Sequence, residues 1–298
     1  MTLDKFWLVI ADVISERTRQ QFSPSRVVPV GGGDINENYF LQGEVQQYFV
    51  RINRRHHQLF TAEAHALEEI QATHTIRVPA VVVQGITQQF AFLVLEALPL
   101  SANQDASQFT LGEQLASLHR APASQLSGGL YGWPNENFIG SSPQYNQPRQ
   151  SWADFWRENR LLPQLTMAYT NGFAGVLRTY EKDLFVCSDT LLAEHHPSPS
   201  LVHGDLWSGN AACLQDGTPV IFDPASYYGD REVDLAMTEL FGGFSAEFYR
   251  GYTSRWPLPA GYEKRKSLYN LYHMLNHLNL FGASYRSSCV RLLNSLLA

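Results

Sequence analysis

The sequence predicts an α+β protein with two lobes, a small N-terminal lobe built on an antiparallel sheet and a mainly helical C-terminal lobe. Its length of 298 residues exceeds the usual size of a single domain. Short β-type segments near the N-terminus are separated by glycine or polar turns, as an antiparallel meander requires. We place the lobes at residues 1–98 and 99–298, with the hinge between them at the end of the first lobe.

Composition limits the classes of function. The chain is 44% hydrophobic and 17% charged, which is typical of a globular protein. Its net charge of −6 argues against broad binding to nucleic acid or to an anionic membrane surface. The sequence shows neither a transmembrane stretch nor a signal-peptide layout, so we expect a cytoplasmic protein. The sequence does not indicate an oligomeric state.

The first 98 residues predict a helix followed by a sheet with one further helix. Apolar residues at helical spacing predict helices over about 3–20 and 60–72. Short segments rich in β-branched and aromatic residues predict the strands. These predicted strands are 27–31, 38–41, 48–52, 80–84 and 90–95.

The remaining residues predict mainly helices. One helix ends at His119, and a loop rich in Gly, Pro and Asn follows at 121–148. Further helices are expected near 151–170 and 172–194. Short apolar strands then precede two acidic residues, which belong to the most specific motif in the chain.

That motif is the stretch 201–210, Leu-Val-His-Gly-Asp-Leu-Trp-Ser-Gly-Asn, followed by an apolar run that ends at Asp223. Asp205 has the position of a base that orients a hydroxyl acceptor and takes its proton. Asn210 and Asp223 would supply oxygen ligands to Mg²⁺. A His-Gly-Asp tripeptide or an Asp before proline often occurs by chance, but the joint pattern is far more specific. It predicts phosphoryl transfer in a protein-kinase-like fold.

The motif and its surroundings resemble the fructosamine (ketosamine) kinase family, which belongs to the aminoglycoside phosphotransferase-like kinases. The resemblance covers nearly the whole chain, since other segments match in the expected order. These segments are 31–38, 48–54, 222–237, 256–261 and 268–282. The resemblance implies a kinase that uses ATP and Mg²⁺ to phosphorylate a hydroxyl, the 3-hydroxyl in the family, of fructosamine or ribulosamine adducts of amines or proteins. The implied cellular role is protein deglycation.

A glycine run lies between the first two predicted strands. In Gly31, Gly32 and Gly33 the missing side chains would let backbone N–H groups approach nucleotide phosphates. Taken alone, the run favours a plain hairpin turn. The motif at Asp205 favours the phosphate interpretation.

Arg51 stands where the family has lysine. The resemblance implies that this residue contacts the nucleotide phosphates and pairs with Glu63, which we place in the first turn of the helix 60–72. Arginine keeps the positive charge, but it is longer than lysine and planar. A surface arginine on the strand, and a glutamate that only interacts with the helix dipole, stay open as alternatives.

The segment 93–99 resembles the hinge between the lobes. Backbone groups of Glu96, Ala97 and Leu98 would bind the edge of the adenine there. Such a role depends on backbone geometry and little on side-chain identity.

Two residues are candidates for contacting the acceptor. Trp207 lies two residues after Asp205, and its indole face can stack on a sugar or amino-acid moiety or pack as a core residue under the loop. His273 and His277 are four residues apart and share a face of a predicted helix. The resemblance directs this face at the cleft, which makes His277 a substrate-contact candidate, with a structural histidine as the alternative.

Two other polar residues are predicted to support the site. We expect His203 to brace the catalytic loop through a hydrogen bond, and Asp234 to hydrogen-bond the same loop without touching substrate.

Two rival functions stay open. A kinase of the same fold acting on another alcohol, such as an aminoglycoside- or choline-like acceptor, shares the motif. The sequence shows no acidic cluster beyond the catalytic carboxylates, so a neutral or zwitterionic acceptor fits at least as well as a polycationic one. A pseudokinase-like nucleotide-binding protein is the second rival, because Arg51 departs from the family.

Overall fold

The computed structural model describes residues 5–31, 36–54, 58–87, 89–101, 105–122 and 128–298. The α-helices are α1 (Lys5–Thr18), α2 (Leu59–Ala72), α3 (Asp105–Arg120), α4 (Trp152–Trp156), α5 (Leu162–Ala168), α6 (Ala174–Leu192), α7 (Glu232–Leu240), α8 (Ala246–Arg255), α9 (Tyr262–Phe281) and α10 (Arg286–Leu297). The strands are β1 (Arg26–Val30), β2 (Glu37–Gln42), β3 (Gln47–Asn53), β4 (Val81–Ile86), β5 (Ala91–Glu96), β6 (Leu100–Ser101), β7 (Asn137–Ile139), β8 (Ser142–Gln144), β9 (Ser200–Val202), β10 (Ala211–Leu214), β11 (Pro219–Ile221) and β12 (Tyr227–Gly229).

The small lobe is an antiparallel sheet with the strand order β1-β2-β3-β5-β4. The predicted α+β class is confirmed, and the predicted strands and helices of this lobe fall within a few residues of the observed ones. Sequential strands joined by short turns pair with their neighbours, as a meander does. The last two strands depart from sequence order, because β5 lies beside β3 and β4 forms the edge of the sheet.

Side chains of the central strand β5 alternate between two apolar layers. Phe92 and Val94 pack with the buried face of α1, whereas Leu93 and Leu95 pack with α2 and the large lobe. All of these side chains are buried. Because successive strand residues point to opposite faces, one nearly continuous apolar run serves both layers. Each fully buried side chain of this size contributes about 1.5–3 kcal/mol of hydrophobic stabilisation.

The large lobe is mainly helical, as predicted. The helices expected near 151–170 and 172–194 are present as α4, α5 and α6, joined by π-helical turns at Arg157–Leu161 and Tyr169–Phe173. Gly172 has φ +91° and breaks the helical path before α6. Within the described ranges, no helix is long and apolar enough to cross a membrane.

The segment predicted as a loop at 121–148 contains the short hairpin β7–β8. Buried amides hold this hairpin against the chain that follows β11: Asn137 Nδ2 donates to the Ser226 carbonyl at 2.7 Å, and Gln144 Nε2 donates to the Ala225 carbonyl at 2.9 Å. Three-residue strands with buried polar side chains carry no apolar alternation, so the sequence pattern gave no strand signal.

Short strands bring distant segments together at the lobe boundary. β9 pairs with β12, so that Val202 lies opposite Tyr227. β10 pairs with β11 on one edge and with β6 on the other. The loop between β9 and β10 and the residues that follow β11 therefore meet at one place.

Candidate active site

The loop 203–210 between β9 and β10 is closed by a tight backbone approach. The Ala225 N–H donates to the His203 carbonyl at 2.9 Å. Gly204 has φ +81°, and a Cβ at this position would lie 2.2 Å from the Ala225 carbonyl oxygen. Only glycine fits both the left-handed conformation and the contact.

Asp234, on α7, anchors the same loop. Its carboxylate accepts the backbone N–H groups of His203 and Gly204 at 2.7 and 2.8 Å, and it lies 3.0 Å from Nε2 of His119. Burial favours the neutral acid, but the hydrogen bonds and charge from His119, together with the Gly204 N–H, outweigh it and lower the pKa of Asp234. The predicted bond between Asp234 and the loop is therefore present.

His203 braces the loop, as predicted. Burial lowers the pKa of His203, so the ring is neutral. Nε2 lies 3.0 Å from the Phe222 carbonyl and donates to it, while Nδ1 accepts the Asp205 N–H at 3.3 Å. A single tautomer thus connects the loop to the strand before Asp223.

Asp205 carries a strongly perturbed carboxyl group. Burial raises its pKa to about 7, with further contributions from the negative charges of Asp223 and Asp234. A carboxylate with a pKa near neutrality is suited to accept a proton from a hydroxyl group.

Asn210 is held by its own loop. Its Nδ2 donates to the Asp205 carbonyl at 2.9 Å, and its backbone carbonyl accepts the Phe222 N–H at 3.1 Å. The side chain is buried, with 6% exposure of the residue. Because Nδ2 is used inside the loop, Oδ1 is the atom that can bind a cation.

Asp223 presents its carboxylate from the opposite side of the site. It has φ +58°, a left-handed conformation that Asp tolerates better than most residues. The side chain is 42% exposed and its Oδ1 forms an ion pair with Nη1 of Arg51. The carboxylate is therefore fixed by turn geometry and by charge.

Arg51 lies on the cleft side of the small-lobe sheet. Its neighbours Val50 and Ile52 are buried in the layer with α1, so alternation turns Arg51 to the α2 face. Nη1 donates both to Oε1 of Glu63, at 2.5 Å, and to Oδ1 of Asp223. The side chain is only 9% exposed, so the alternative of a surface arginine is wrong.

Glu63 lies in the second turn of α2, because the helix begins at Leu59 rather than at residue 60. The placement in the first turn is thus wrong, whereas the pairing with Arg51 is observed. Burial and the charge of Asp223 raise the pKa of Glu63 to about 7 despite the nearby guanidinium. Burial disfavours the charged form of Arg51, but the negative charges of Asp223 and Glu63 outweigh this effect and raise the pKa of Arg51.

The glycine run is described only in part. Gly31 follows β1, is exposed, and has no atom within 4 Å of an added Cβ. Gly32 and Gly33 lie outside the described residues. At the far end of the run, Asn53 Nδ2 donates to Asn36 Oδ1 at 2.8 Å and ties the start of β2 to the end of β3.

The predicted hinge, 93–99, begins within β5 and continues past Glu96, the last residue of that strand. The Glu96 side chain pairs with Arg77 and accepts the Ala80 N–H at 3.2 Å, and the Glu96 N–H donates to the Ala80 carbonyl at 2.9 Å. Glu96 is thus committed to the lobe boundary. Ala97 and Leu98 come next and are half-buried, and the Leu98 carbonyl accepts the Leu100 N–H at 2.9 Å.

Trp207 lies on the surface of the catalytic loop. Its indole covers Gly209, where an added Cβ would lie 2.3 Å from ring atoms. The residue is 40% exposed, so the alternative of a core tryptophan is wrong. One ring face packs on the loop, and much of the remaining ring surface is accessible.

His277 is oriented by its own helix. Its Nδ1 donates to the His273 carbonyl at 2.8 Å, and burial lowers its pKa, so the ring is neutral. Nε2 is then the acceptor atom of the ring. The ring of Phe241 is close to both residues that are predicted to contact the sugar substrate. Its centroid lies 6.4 Å from that of Trp207 and 5.0 Å from that of His277.

Sequence reasoning missed Phe241 and His119. Phe241 is 43% exposed directly after α7, where a glycine pair follows it, and an aromatic residue before Gly-Gly is a signal for a surface turn. His119 ends a predicted helix and bonds Asp234 from another segment. No local pattern reports that contact.

Three features define a phosphotransferase of the protein-kinase-like class. They are the bilobal fold, the carboxylates of Asp205 on the loop and of Asp223 after β11, and the buried guanidinium of Arg51 between the lobes. The sequence matches the family model described as fructosamine kinase over residues 6–298. The chain therefore belongs to the fructosamine kinase family, whose members phosphorylate ketosamines.

Relatives and solved structures agree with this membership. A probable ketoamine kinase of Synechocystis sp. is 47% identical over 98% of this chain and 97% of its own. A chloroplastic protein-ribulosamine 3-kinase of Arabidopsis thaliana is 38% identical over 92% and 83% of the two chains. A crystal structure from Haemophilus somnus 129PT, assigned as a fructosamine-3-kinase, is 34% identical with a TM-score of 0.89 and 98% coverage of both chains. An aminoglycoside phosphotransferase, APH(4)-Ia, shares the fold at 17% identity, with a TM-score of 0.63 over 96% and 98% of the chains.

Proposed function

We propose that the chain transfers the γ-phosphoryl group of ATP, with Mg²⁺, to the 3-hydroxyl of a ketosamine such as a fructosamine or ribulosamine adduct. The observation that carries this proposal is the convergence of Asp205, Asn210 and Asp223 from two segments with the Arg51–Glu63 pair of the other lobe. Family membership supports the class of acceptor, and the name of the plant relative supports the 3-position.

The donor set fits a magnesium ion. Asn210 offers an amide oxygen because its nitrogen is used in the loop, and Asp223 offers a partly exposed carboxylate. Mg²⁺ prefers oxygen ligands and retains several waters and phosphate oxygens. When bound, the ion neutralises charge that develops on the phosphoryl oxygens. Asn210 and Asp223 would hold it.

Asp205 would act as the base. The pKa of its carboxyl group is about 7, so the carboxylate can accept a proton near neutral pH. His203 and Asp234 fix the loop that carries Asp205, so the carboxylate can orient the acceptor hydroxyl through a hydrogen bond. The proton of the acceptor hydroxyl moves to the Asp205 carboxylate as the new oxygen–phosphorus bond forms, while the bond between the γ-phosphorus and the β–γ bridging oxygen of ATP breaks and ADP leaves.

Arg51 would steady the non-transferred phosphates. Its charge is maintained by Glu63, and its Nη1 also contacts Asp223, which is one residue of the proposed metal site. The glycine run Gly31–Gly33 would cover the phosphates, and backbone groups of Glu96, Ala97 and Leu98 would border the adenine, chiefly the last two. Phosphoryl transfer depends mainly on such positioning and charge neutralisation.

Trp207 and His277 would contact the sugar. An exposed indole face can stack on a sugar ring, and the neutral imidazole can accept a hydroxyl hydrogen bond at Nε2. Phosphorylation of the sugar would destabilise the adduct and release the amine, which gives the protein a role in deglycation. We assign this role to the cytoplasm.

The experiment is ATP consumption with Mg²⁺ on fructosyl- and ribulosyl-lysine derivatives, with choline and an aminoglycoside as separate acceptors. Asp205→Asn is the control. Turnover of ketosamines that disappears in the control supports the proposal. Turnover of choline or the aminoglycoside alone would overturn the assignment of the acceptor, and failure with every acceptor in a folded protein would favour a binding role.

A further inference from the structure

A row of aromatic rings leads away from the catalytic loop, and we call it the aromatic strip. Its members are Trp207, Phe241, His277, Phe281 and Tyr285. Centroid distances between successive rings are 6.4 Å, 5.0 Å, 5.5 Å and 6.0 Å in that order, and the rings of His277 and Tyr285 also approach to 5.1 Å. The strip is therefore continuous from the loop that carries Asp205 to the start of α10.

The strip exposes an unusual amount of aromatic surface. Trp207, Phe241 and Phe281 are 40%, 43% and 44% exposed. Single exposed apolar residues are ordinary, but a connected group beside a reaction centre indicates a binding surface. The strip begins at Trp207, on the same loop as Asp205, so it starts beside the proposed reaction centre.

The fold fixes the strip in place. A Cβ at Gly243, which has φ +95°, would lie 2.4 Å from Cβ of Ser208, so the turn after Phe241 packs directly on the catalytic loop. At the other end, Gly282 closes α9 by donating its N–H to the Leu278 carbonyl at 3.0 Å. The turn after Phe241 is thus packed on the catalytic loop, and α9 ends at Gly282, directly after Phe281.

The ligand follows from the chemistry of a ketosamine, and this step rests on the proposed function. The amine nitrogen is bonded to the sugar carbon two positions from the carbon of the 3-hydroxyl. With that hydroxyl at Asp205, the amine and its carrier leave the sugar close to Trp207. The nitrogen is a protonated secondary amine near neutral pH, and a cation over an aromatic face is stabilised.

We propose that the aromatic strip, beyond the sugar contacts of Trp207 and His277, binds the amine carrier of the ketosamine, and that it selects carriers with an aromatic or long apolar group next to the nitrogen. Phe281 and Tyr285 are the distal contacts for such a group. The selectivity then arises from ring contact along the strip, and not from the sugar, which all ketosamine substrates share.

The test compares fructose adducts of glycine, leucine and phenylalanine, using kcat/KM for turnover and calorimetry for binding. The wild-type protein should prefer the phenylalanine adduct over the glycine adduct by about fivefold, as expected for one or two good aromatic contacts. Phe281→Ala should bring this ratio close to one through KM, whereas Phe281→Tyr should retain it. Ile86→Ala, at a 59% exposed position on β4 of the other lobe, is the matched surface control.

The outcomes separate this inference from the proposed function. If Phe281→Ala and wild type show the same ratio of kcat/KM between the phenylalanine and glycine adducts, the strip does not bind the carrier. The kinase assignment then stays intact. Preferential binding without turnover would retain the surface and sink the kinase assignment. If the strip instead mediates self-association, Phe281→Ala would change the sedimentation mass and leave the ratio unaltered, which also overturns the inference.

Discussion

The two sides of the cleft are built from different chemistry. On the nucleotide side, Arg51 lies buried between Glu63 and Asp223, and the contacts are charged. On the acceptor side, Trp207 leads into the exposed rings of the aromatic strip. In the proposed function, the charged side neutralises the phosphates of the nucleotide, and the aromatic side distinguishes one acceptor from another.

This difference separates reaction from selectivity. Buried ion pairs are sensitive to the loss of either partner, because a remaining charge is left uncompensated. Exposed rings tolerate exchange for another ring, because contact area and π surface are retained. Substitutions on the charged side should therefore change kcat, and substitutions on the aromatic side should change KM for the acceptor.

The largest effect is expected from removing the base that both sides share. Asp205→Asn should lower kcat by about a thousandfold, because an amide cannot accept the hydroxyl proton. Steady-state ATP consumption with a ketosamine measures it. A decrease of less than tenfold would exclude Asp205 as the base.

The same substitution should stabilise the protein. The pKa of Asp205 is raised from 3.8 to about 7 in the folded state, so its contribution to stability is greatest below pH 3.8 and is lost as pH rises through 7. Asp205→Asn should therefore increase the free energy of unfolding at pH 8 by about 1–3 kcal/mol. Urea unfolding at pH 8 and at pH 5 checks this, and the gain should be smaller at pH 5.

The next effect is on the pH dependence of the reaction. With a pKa of about 7, only about one Asp205 carboxylate in a hundred is ionised at pH 5, so kcat/KM should fall about a hundredfold between pH 8 and pH 5. Glu63 has a similar pKa, so Glu63→Gln is the matched variant. If the acidic limb disappears in Glu63→Gln, the titrating group is Glu63 and the assignment to Asp205 is wrong.

A smaller effect is expected on the aromatic side. Trp207→Ala should raise KM for the ketosamine about tenfold and alter KM for ATP little, since the indole is proposed to stack on the acceptor only. Trp207→Phe should recover most of the affinity. Equal changes in both KM values would point to a collapsed loop instead of a lost contact.

The smallest effect is expected from Arg51→Lys. The contacts to Glu63 and Asp223 both come from Nη1, and Nε is buried without a partner among the described residues. A lysine Nζ can replace one nitrogen, so kcat and KM for ATP should each change less than about threefold. A large rise in turnover would show that arginine is a handicap, and a large fall would show that the planar group itself is required.

Much of the charged side was accessible from the sequence. Asp205 and Asn210 lie in one short loop, and their spacing predicts a base and a metal ligand on that loop. The face occupied by Arg51 was not accessible, because strand alternation defines two faces without saying which one meets the cleft. Packing of Val50 and Ile52 on α1 decides it.

The aromatic side was largely hidden. Phe241 and Phe281 are ordinary apolar residues at helix ends in the sequence, and their exposure depends on the tertiary structure. The hairpin β7–β8 was missed for a related reason, since its buried residues are amides such as Asn137 and Gln144 that satisfy backbone carbonyls across the fold. Local patterns report periodicity, and neither feature has any.

The strand β6 closes one edge of the sheet that carries β10. It covers the outer edge of β10, with Ser101 opposite Cys213 and Leu100 opposite Leu214. An uncovered edge offers free N–H and C=O groups to any other extended chain. A large lobe that begins at residue 99 keeps this cover, whereas one that begins at residue 105 loses it. The second fragment should form aggregates rich in intermolecular β-structure, while the first should remain dispersed.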